Sequence, residues 1–255
     1  MRLIPFEKHR QILVTHDVTE LERLEQMRRD FIANASHELR TPLTVINGFL
    51  EIASSEPDLD PVTRQQHLQL MAEQGQRMKH LVEDMLTLTR LESVEYPLRE
   101  EVVDMRQLLE QVKAEGEALS GGRHRVTLDF DGPDLKGSGD ELRSAIGNLV
   151  SNAVRYTPDG GSIAIRWHET ADGCRCDVSD TGIGIRPEHI SRLTERFYRV
   201  DKSRSRATQG TGLGLAIVKH VLVRHQGQLQ IDSEVGKGSC FSLLFPRSAM
   251  LLRAA

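Results

Sequence analysis

Apolar residues recur along the first part of the chain at steps of three, four or their sums. The stripe consists of Leu21, Leu24, Phe31, Ala35, Leu39, Leu43, Ile46, Leu50 and Ala53. Because this spacing places the side chains on one face of a helix, it predicts a helix over about 19–53. Asp17 or Thr19 can cap its start, and Pro42 is expected to bend it.

A second stripe follows the turn-rich segment SSEPDLDP at 54–61. Its members are Leu68, Met71, Met78, Val82, Met85, Leu88 and Leu91. Two amphipathic helices joined by a short loop predict an antiparallel helical hairpin. Since a lone hairpin cannot bury both stripes, we expect a two-fold dimer that forms a four-helix bundle.

The pattern changes after Tyr96-Pro97. Helical periodicity appears at 102–119, 140–156 and 212–225, and strand patterns appear at 123–131, 161–168, 174–180, 228–233 and 239–245. This alternation predicts a separate mixed α/β domain of about 150 residues, which is large enough for its own core. Before the first helix, RQILVTHD predicts one short strand, so residues 1–17 are expected to be the end of a preceding domain of a longer protein.

The amino-acid composition argues against several classes of partner and site. Lys and Arg number 33 against 37 Asp and Glu, a net charge of −4 that gives no reason to expect nucleic acid or an anionic membrane as a partner. No apolar run approaches the roughly 18 residues of a membrane helix, and MRLIPFEKHR lacks the apolar core of a signal peptide. The odd set Cys174, Cys176 and Cys240 predicts packed, reduced thiols rather than a disulfide framework or a zinc site, with redox sensing by the first two as an alternative.

Candidate chemistry begins in SHELRTP at 36–42. His37 leaves the apolar stripe and should reach water, where a single histidine is usually only a solvated residue. Here Glu38 adjoins it and Thr41 lies one turn later. A neutral imidazole is a competent nucleophile near pH 7, a neighbouring carboxylate can orient it and take its proton, and a threonine hydroxyl can hold a water.

The segment NLVSNAVRY places Asn148 and Asn152 four residues apart on one helical face. Two amide oxygens there are candidate ligands for a hard cation such as Mg²⁺. Arg155 can meet a phosphate, and Tyr156 can cover an aromatic base. Such a pair alone is weak evidence, because it can also be polar decoration of a helix.

A strand, CRCDVSD, runs into DTGIGI. Asp180 at the strand end can accept a hydrogen bond from an exocyclic amine, and Gly182 and Gly184 let the backbone approach a ligand closely. A plain tight turn is the alternative interpretation of this segment.

The loop QGTGLGLAIVK contains Gly210, Gly212 and Gly214 and opens a helix, whose free N–H groups attract phosphate. A Rossmann site is a poor fit because no βαβ unit surrounds the loop, and the absence of GK[ST] excludes a Walker loop. Between the two glycine segments, residues 195–206 carry five basic residues, Arg199 among them, beside two aromatic residues. This stretch predicts a mobile lid over a nucleotide, or simply a solvated loop.

In this order, SHELRTP, NLVSNAVRY, DTGIGI, ERFYRVD and GTGLGLAIV resemble the motifs of the sensor histidine kinases of two-component systems, over about 20–248. The resemblance implies a dimerisation and phosphoacceptor domain at 18–96, which is the helical hairpin dimerising into a four-helix bundle. It implies a Bergerat-type α/β sandwich ATP-binding domain at 97–248, a tail at 249–255, and a PAS-domain remnant at 1–17. The opening residues most resemble phosphate-regulon sensor kinases, in which a PAS domain and a membrane anchor come first.

The resemblance also implies residue roles. His37 would be the phosphoacceptor, Glu38 its acidic partner, and Thr41 the residue that places water for dephosphorylation of a response regulator. Asn148 and Asn152 would lie on the Mg²⁺ side of ATP. The other implied nucleotide contacts are Arg155, Tyr156, Asp180, Gly182, Gly184, Arg199, Gly210, Gly212 and Gly214.

The implied function is autophosphorylation from ATP and Mg²⁺ by a homodimer, followed by transfer to an aspartate of a response regulator and phosphatase activity towards it. The chain would be the cytoplasmic portion of a protein anchored in the inner membrane. Two alternatives stay open: a chaperone- or topoisomerase-like ATPase clamp, which leaves SHELRTP without a role, and a catalytically silent dimeric scaffold. The presence of His37, Asn152 and Asp180 argues against the scaffold.

Overall fold

The computed structural model describes the chain except residues 1, 7–9, 15–16, 57–58, 94, 201–209 and 252–255. The predicted tail and the basic stretch therefore lie partly outside the described residues. The chain divides into two compact units, Met1–Gly75 and Gln76–Ala255. No helix of the described residues is both long enough and apolar enough to cross a membrane.

The first unit opens with two antiparallel strands, β1 (Arg2–Phe6) and β2 (Arg10–Val14). The sequence predicted only one strand here, so this prediction was incomplete: a second strand precedes the predicted one and pairs with it. Helix α1 follows at Thr19–Ser55. The backbone N–H of Thr19 donates to the Asp17 carboxylate at 2.9 Å, as expected for a capping residue. Helix α1 continues through Pro42 as one element of 37 residues.

Helix α2 (Pro61–Glu92) starts where the Asp60 carboxylate accepts the N–H groups of Val62, at 2.8 Å, and of Thr63, at 3.2 Å. These hydrogen bonds, with one from the Thr63 hydroxyl, lower the pKa of Asp60. Within the first unit, the rings of Phe49 and His67 lie 4.6 Å apart. Each of these residues is six positions from the adjoining helix end, so within this unit the end of α1 and the start of α2 pack as the predicted helical hairpin.

The second unit is built on a five-stranded sheet in the order β4-β6-β7-β9-β8. Strands β4 and β6 are parallel and the other neighbours are antiparallel. The strands are β4 (Arg125–Asp131), β6 (Ser162–Thr170), β7 (Gly173–Asp180), β8 (Gln228–Glu234) and β9 (Gly238–Pro246). Helices α3 (Met105–Ser120), α4 (Gly139–Tyr156) and α6 (Gly214–Arg224) pack with the sheet to form the α/β sandwich.

Alternation along the strands explains this core. On β6 the buried residues are Ile163, Ile165 and Trp167, at every second position. Cys174 and Cys176 occupy the equivalent buried face of β7, and all three cysteines are free thiols. Burial raises the pKa of Cys174 to about 12 and raises that of Cys176 as well, so neither carries the thiolate that redox chemistry needs.

Several short elements were not predicted from the sequence pattern. A small sheet has the order β10-β5-β3, with β3 at Glu101–Val103, β5 at Asp134–Gly137 and β10 at Met250–Leu251. Helix α5 (Pro187–Ile190) and a 3₁₀ turn at Arg247–Ala249 are also short. The predicted helix over 102–119 was wrong at its start. Asp104 accepts the N–H of Gln107 at 2.8 Å as the true N-cap, and the residues before it pair as a strand.

A buried histidine fixes the start of α4 against the end of α6. The Nδ1–H of His225 donates to the carbonyl of Val221 at 2.8 Å, and its Nε2 accepts the N–H of Ser138 at 3.1 Å. Burial lowers the pKa of His225, which favours the neutral ring that this pair of bonds requires. Helix α4 carries most of the candidate side chains described next, so this anchor positions them.

Candidate functional site

A cavity of about 440 Å³ lies in the second unit, bordered by α4, the turn after β7 and the glycine loop before α6. It brings together residues that four separate sequence segments predicted as nucleotide contacts. These are Asn148, Asn152, Arg155, Tyr156, Asp180, Gly184, Arg199, Gly210, Gly212 and Gly214. Gly182 does not line the cavity.

One face of α4 supplies the polar wall, because its opposite face is apolar and buried in the core. The Nδ2 of Asn148 donates to the carbonyl of Ser144 at 2.9 Å, which orients its amide. The Oδ1 of Asn152 accepts from Nη1 of Arg155 at 3.4 Å. Tyr156 is 40% exposed at the end of this row, where a ring can cover a flat ligand.

Asp180 ends β7 and projects a carboxylate into the cavity. Its Oδ1 accepts the N–H of Gly182 at 2.8 Å. Burial raises the pKa of Asp180, and the hydrogen bonds from the backbone of Gly182 and Ser239 oppose that rise. A half-buried carboxylate of this kind can accept a further hydrogen bond from a ligand N–H group.

Two glycines are required because neighbouring atoms approach them closely. A Cβ on Gly182 would lie 2.5 Å from the carbonyl oxygen of Tyr156, so only glycine lets this turn pack on the end of α4. A Cβ on Gly214 would lie 2.4 Å from Oδ1 of Asn148. Gly182 thus shapes the turn that borders the cavity, and its contact with a nucleotide stays a prediction.

The positive charge of the cavity comes from Arg155 and Arg199. Burial lowers the pKa of the Arg155 guanidinium, with a smaller lowering by Arg199, while Tyr156 and Asp84 raise it. The Arg155 guanidinium lies beside Gly210, since a Cβ there would be 3.1 Å from Nη1. A cation next to a glycine loop at a helix start is an arrangement that favours phosphate.

Sequence reasoning missed several lining residues. Ile183, Leu193 and Phe241 form apolar wall, and Asp84 enters from α2. The Thr211 hydroxyl donates to Oδ2 of Asp84 at 2.7 Å. Single apolar residues in turns, such as Ile183, or in a strand, such as Phe241, carry no distinct signal. Asp84 belongs to an ordinary polar helix face, so only the tertiary structure could identify it.

The basic stretch is described as far as Val200. Arg199 lines the cavity, whereas Nη2 of Arg196 donates to Oε1 of Glu92 on α2 at 2.6 Å. The rest of the predicted lid lies outside the described residues.

The SHELRTP segment lies in the first unit, on α1. His37 is exposed, as its place off the apolar stripe predicted, and Glu38 is half-buried. The Thr41 hydroxyl is exposed and donates to the carbonyl of His37 at 3.3 Å, which reflects the one-turn spacing. The imidazole is thus accessible to a reactant from solvent.

Mg²⁺ requires hard oxygen donors. Among the described residues, no group of three or more His, Cys, Asp or Glu side chains could hold a metal ion. The amides of Asn148 and Asn152 nevertheless supply hard oxygen donors on the cavity wall. Mg²⁺ commonly keeps water and phosphate ligands and takes few from protein, so this pair fits it only together with a phosphorylated ligand.

Comparison with known proteins agrees with this geometry. Residues 27–94 match the family described as His Kinase A (phospho-acceptor) domain. Residues 137–249 match the family described as histidine kinase-, DNA gyrase B-, and HSP90-like ATPase. The first match contains His37, and the second contains every predicted nucleotide contact.

Individual relatives extend the comparison. The phosphate regulon sensor protein PhoR of Pseudomonas aeruginosa is 52% identical over 237 residues, which are 92% of this chain and 53% of PhoR. The chain thus spans about half the length of that relative. The structure of ShkA in complex with AMPPNP has a TM-score of 0.63 at 29% identity, covering 91% of this chain and 48% of ShkA. The complex of histidine kinase ThkA with response regulator protein TrrA has a TM-score of 0.69 at 22% identity, covering 91% of this chain and 68% of ThkA.

The helical region with its exposed histidine, the ATPase-type sandwich that follows it in the chain and the order of the motifs all agree with these matches. The chain belongs to the sensor histidine kinases.

Proposed function

We propose that this chain phosphorylates His37 from ATP and passes the phosphoryl group to an aspartate of a response regulator. One observation carries the proposal: a single cavity collects residues from four motifs around a half-buried carboxylate and an arginine. The exposed histidine lies in the segment that matches the phospho-acceptor family.

Each part of ATP has a candidate partner in the cavity. Asp180 accepts the adenine amine and Tyr156 covers the base. Arg155, Arg199 and the glycine loop face the phosphates. Asn148 and Asn152 would hold Mg²⁺, which supplies positive charge against the phosphate oxygens when bound. The AMPPNP in the ShkA structure supports a nucleotide as the ligand.

Because the imidazole of His37 is exposed, it can react with the γ-phosphate of ATP. The neutral imidazole attacks the γ-phosphorus through Nε2, the nitrogen–phosphorus bond forms as the bond to the β,γ-bridging oxygen breaks, and ADP leaves. Glu38, the adjacent residue, accepts the proton of the other ring nitrogen. An aspartate carboxylate of the regulator then attacks the same phosphorus, and the imidazole is the leaving group.

The test follows the labelled phosphoryl group from ATP to the chain and then to a response regulator. We expect γ-labelled ATP with Mg²⁺ to give an acid-labile, base-stable phosphoprotein, from which an added receiver domain removes the label within minutes. The response regulator in the ThkA structure supports a receiver as the acceptor. ATP turnover without any phosphoprotein would instead favour the clamp ATPase.

We further propose that Thr41 places the water that dephosphorylates the regulator. Thr41→Ala should keep autophosphorylation but slow the release of phosphate from a phosphorylated receiver by about 10-fold or more, because an oriented hydroxyl is lost. Phosphate release is measured with pre-phosphorylated receiver and ADP.

Thr44→Ala is the matched control. The Thr44 hydroxyl also donates to a carbonyl one turn back on α1, that of Arg40, at 2.9 Å. This variant should release phosphate at the wild-type rate. Full dephosphorylation by Thr41→Ala would remove Thr41 from the reaction.

The functional unit that we propose is a homodimer whose helices form a four-helix bundle. Leu43 and Leu50 of the predicted stripe are 47% and 49% exposed on α1, and Leu68 of the second stripe is 50% exposed. Large apolar side chains in such rows require a partner surface. Sedimentation should therefore give about twice the chain mass of 28.7 kDa, and a monomer at micromolar concentration would contradict the bundle.

We assign residues 18–96 to dimerisation and phosphotransfer and 97–248 to ATP binding, since the two family matches fall within or close to these ranges. A role in the response to phosphate supply is supported by the identity with PhoR. Anchoring to the inner membrane and a PAS domain before residue 18 rest on the resemblance of the opening residues to phosphate-regulon sensor kinases. Fractionation of cells that contain the natural protein tests the anchor.

A further inference from the structure

The carboxylate of Asp84 contacts the glycine loop before α6. The Thr211 hydroxyl lies between Gly210 and Gly212 and donates to Oδ2 of Asp84 at 2.7 Å. The same Thr211 oxygen accepts the N–H of Leu213 at 3.2 Å. Asp84 belongs to the part of α2 that lies in the second unit, so this contact is internal to that unit.

The surroundings of Asp84 are those of the cavity itself. Asp84 lines the cavity with Asn152 and Arg155. Burial raises the pKa of the Asp84 carboxyl, and the hydrogen bond from Thr211 and the charges of His80 and Arg155 oppose that rise. The cation that faces the glycine loop is therefore also an electrostatic partner of Asp84.

A carboxylate oxygen and a phosphate oxygen use the same donors. Both take charge-assisted hydrogen bonds from hydroxyls and both are attracted to a guanidinium. When nucleotide phosphates enter the loop, Asp84 would add a like charge next to them, which disfavours their binding. The helix segment that carries Asp84 is held a second time at its end, where Glu92 pairs with Arg196 at 2.6 Å and with His220 at 3.2 Å.

We propose that Asp84 is a resident anion of the phosphate-binding loop that competes with the phosphates of the nucleotide. Contact of α2 with Thr211 and occupation of the loop by phosphate are then mutually exclusive. ATP binding thus displaces the Asp84 carboxylate from the glycine loop. This inference rests on the proposed function, in which this loop faces the phosphates of ATP.

The test is Asp84→Asn, which keeps the size of the side chain and removes its charge. Its dissociation constant for Mg–ATP should fall by about 5- to 20-fold, since one like charge beside the phosphates is removed. The constant for adenosine, which has no phosphate, should change by less than about 2-fold on the same grounds. Calorimetric titration measures both ligands, and thermal melting verifies that the variant is folded.

Glu83→Gln is the matched control. Glu83 is the neighbouring acidic residue of α2 and also lines the cavity, but its ion pair is with Lys79 at 3.8 Å. Removing its charge should leave the ratio of ATP to adenosine affinity near that of the wild type. An equal gain for Glu83→Gln would show a general charge effect and overturn the specific role of Asp84.

The remaining outcomes separate this inference from the proposed function. Weaker ATP binding by Asp84→Asn would mean that Asp84 supports the loop. An equal shift in the dissociation constant for adenosine would mean that Asp84 does not act on the phosphates. Either result overturns the proposed competition and leaves the proposed function standing. Failure of the wild type to bind both ATP and adenosine would overturn the proposed function itself.

Discussion

Replacing His37 by glutamine is expected to reduce the label that the chain takes up from γ-labelled ATP by at least about 1000-fold, because an amide nitrogen is not a nucleophile. Glutamine is similar in size and polarity, and His37 is exposed on α1, so the fold should be unaffected. His37 does not line the nucleotide cavity, so the dissociation constant for ATP should stay at its wild-type value.

His67→Gln is the matched control for this experiment. His67 is another helical histidine of the first unit, but its ring lies against Phe49 at 4.6 Å. This variant should keep the acid-labile, base-stable label. Label that persists on His37→Gln would identify a different acceptor, and a wild type that binds ATP without becoming labelled would favour the silent scaffold.

Asp180→Asn should raise the dissociation constant for both ATP and adenosine by about 10- to 100-fold, because a charge-assisted hydrogen bond to the adenine amine is lost. The amide oxygen can still accept the N–H of Gly182, so the turn after β7 should keep its conformation. Calorimetry with both ligands measures the effect. The loss for adenosine distinguishes this residue from Asp84, whose replacement should affect only ligands that carry phosphate.

Asp177→Asn provides the comparison on the same strand. Asp177 lies on the opposite face of β7, where its carboxylate accepts from Nε of Arg175 and from the Ser242 hydroxyl, both at 2.6 Å. Its replacement should leave nucleotide affinity unchanged even where it lowers the melting temperature. Wild-type affinity of Asp180→Asn for ATP and adenosine would show that this carboxylate does not bind the adenine amine.

Local periodicity predicted the long elements. Helix α4 was expected at 140–156 and spans Gly139–Tyr156, and β7 was expected at 174–180 and spans Gly173–Asp180. Elements of two to four residues, such as β3 and β10, span only one or two periods of the strand alternation, which is too few to recognise in a sequence. The structure identifies these two strands by their pairing with β5.

The sequence by itself determined the fold class, the family and the types of functional group that are available for chemistry. A nucleophilic histidine beside a carboxylate, paired asparagines and two glycine turns are types and spacings that can be read along a chain. Local spacing also predicted that Asn148 and Asn152 share one face of α4, because four residues make about one helical turn.

Only the tertiary structure decided which of these residues meet and what else joins them. Asp84 and Thr211 are separated by 127 positions, and no local pattern relates residues so far apart. The need for glycine at Gly182 depends on its packing against the carbonyl of Tyr156. The raised pKa of Asp180 depends on burial by surrounding elements. Contacts, burial and charge fields are properties of packed surfaces, and they exist only once distant segments have come together.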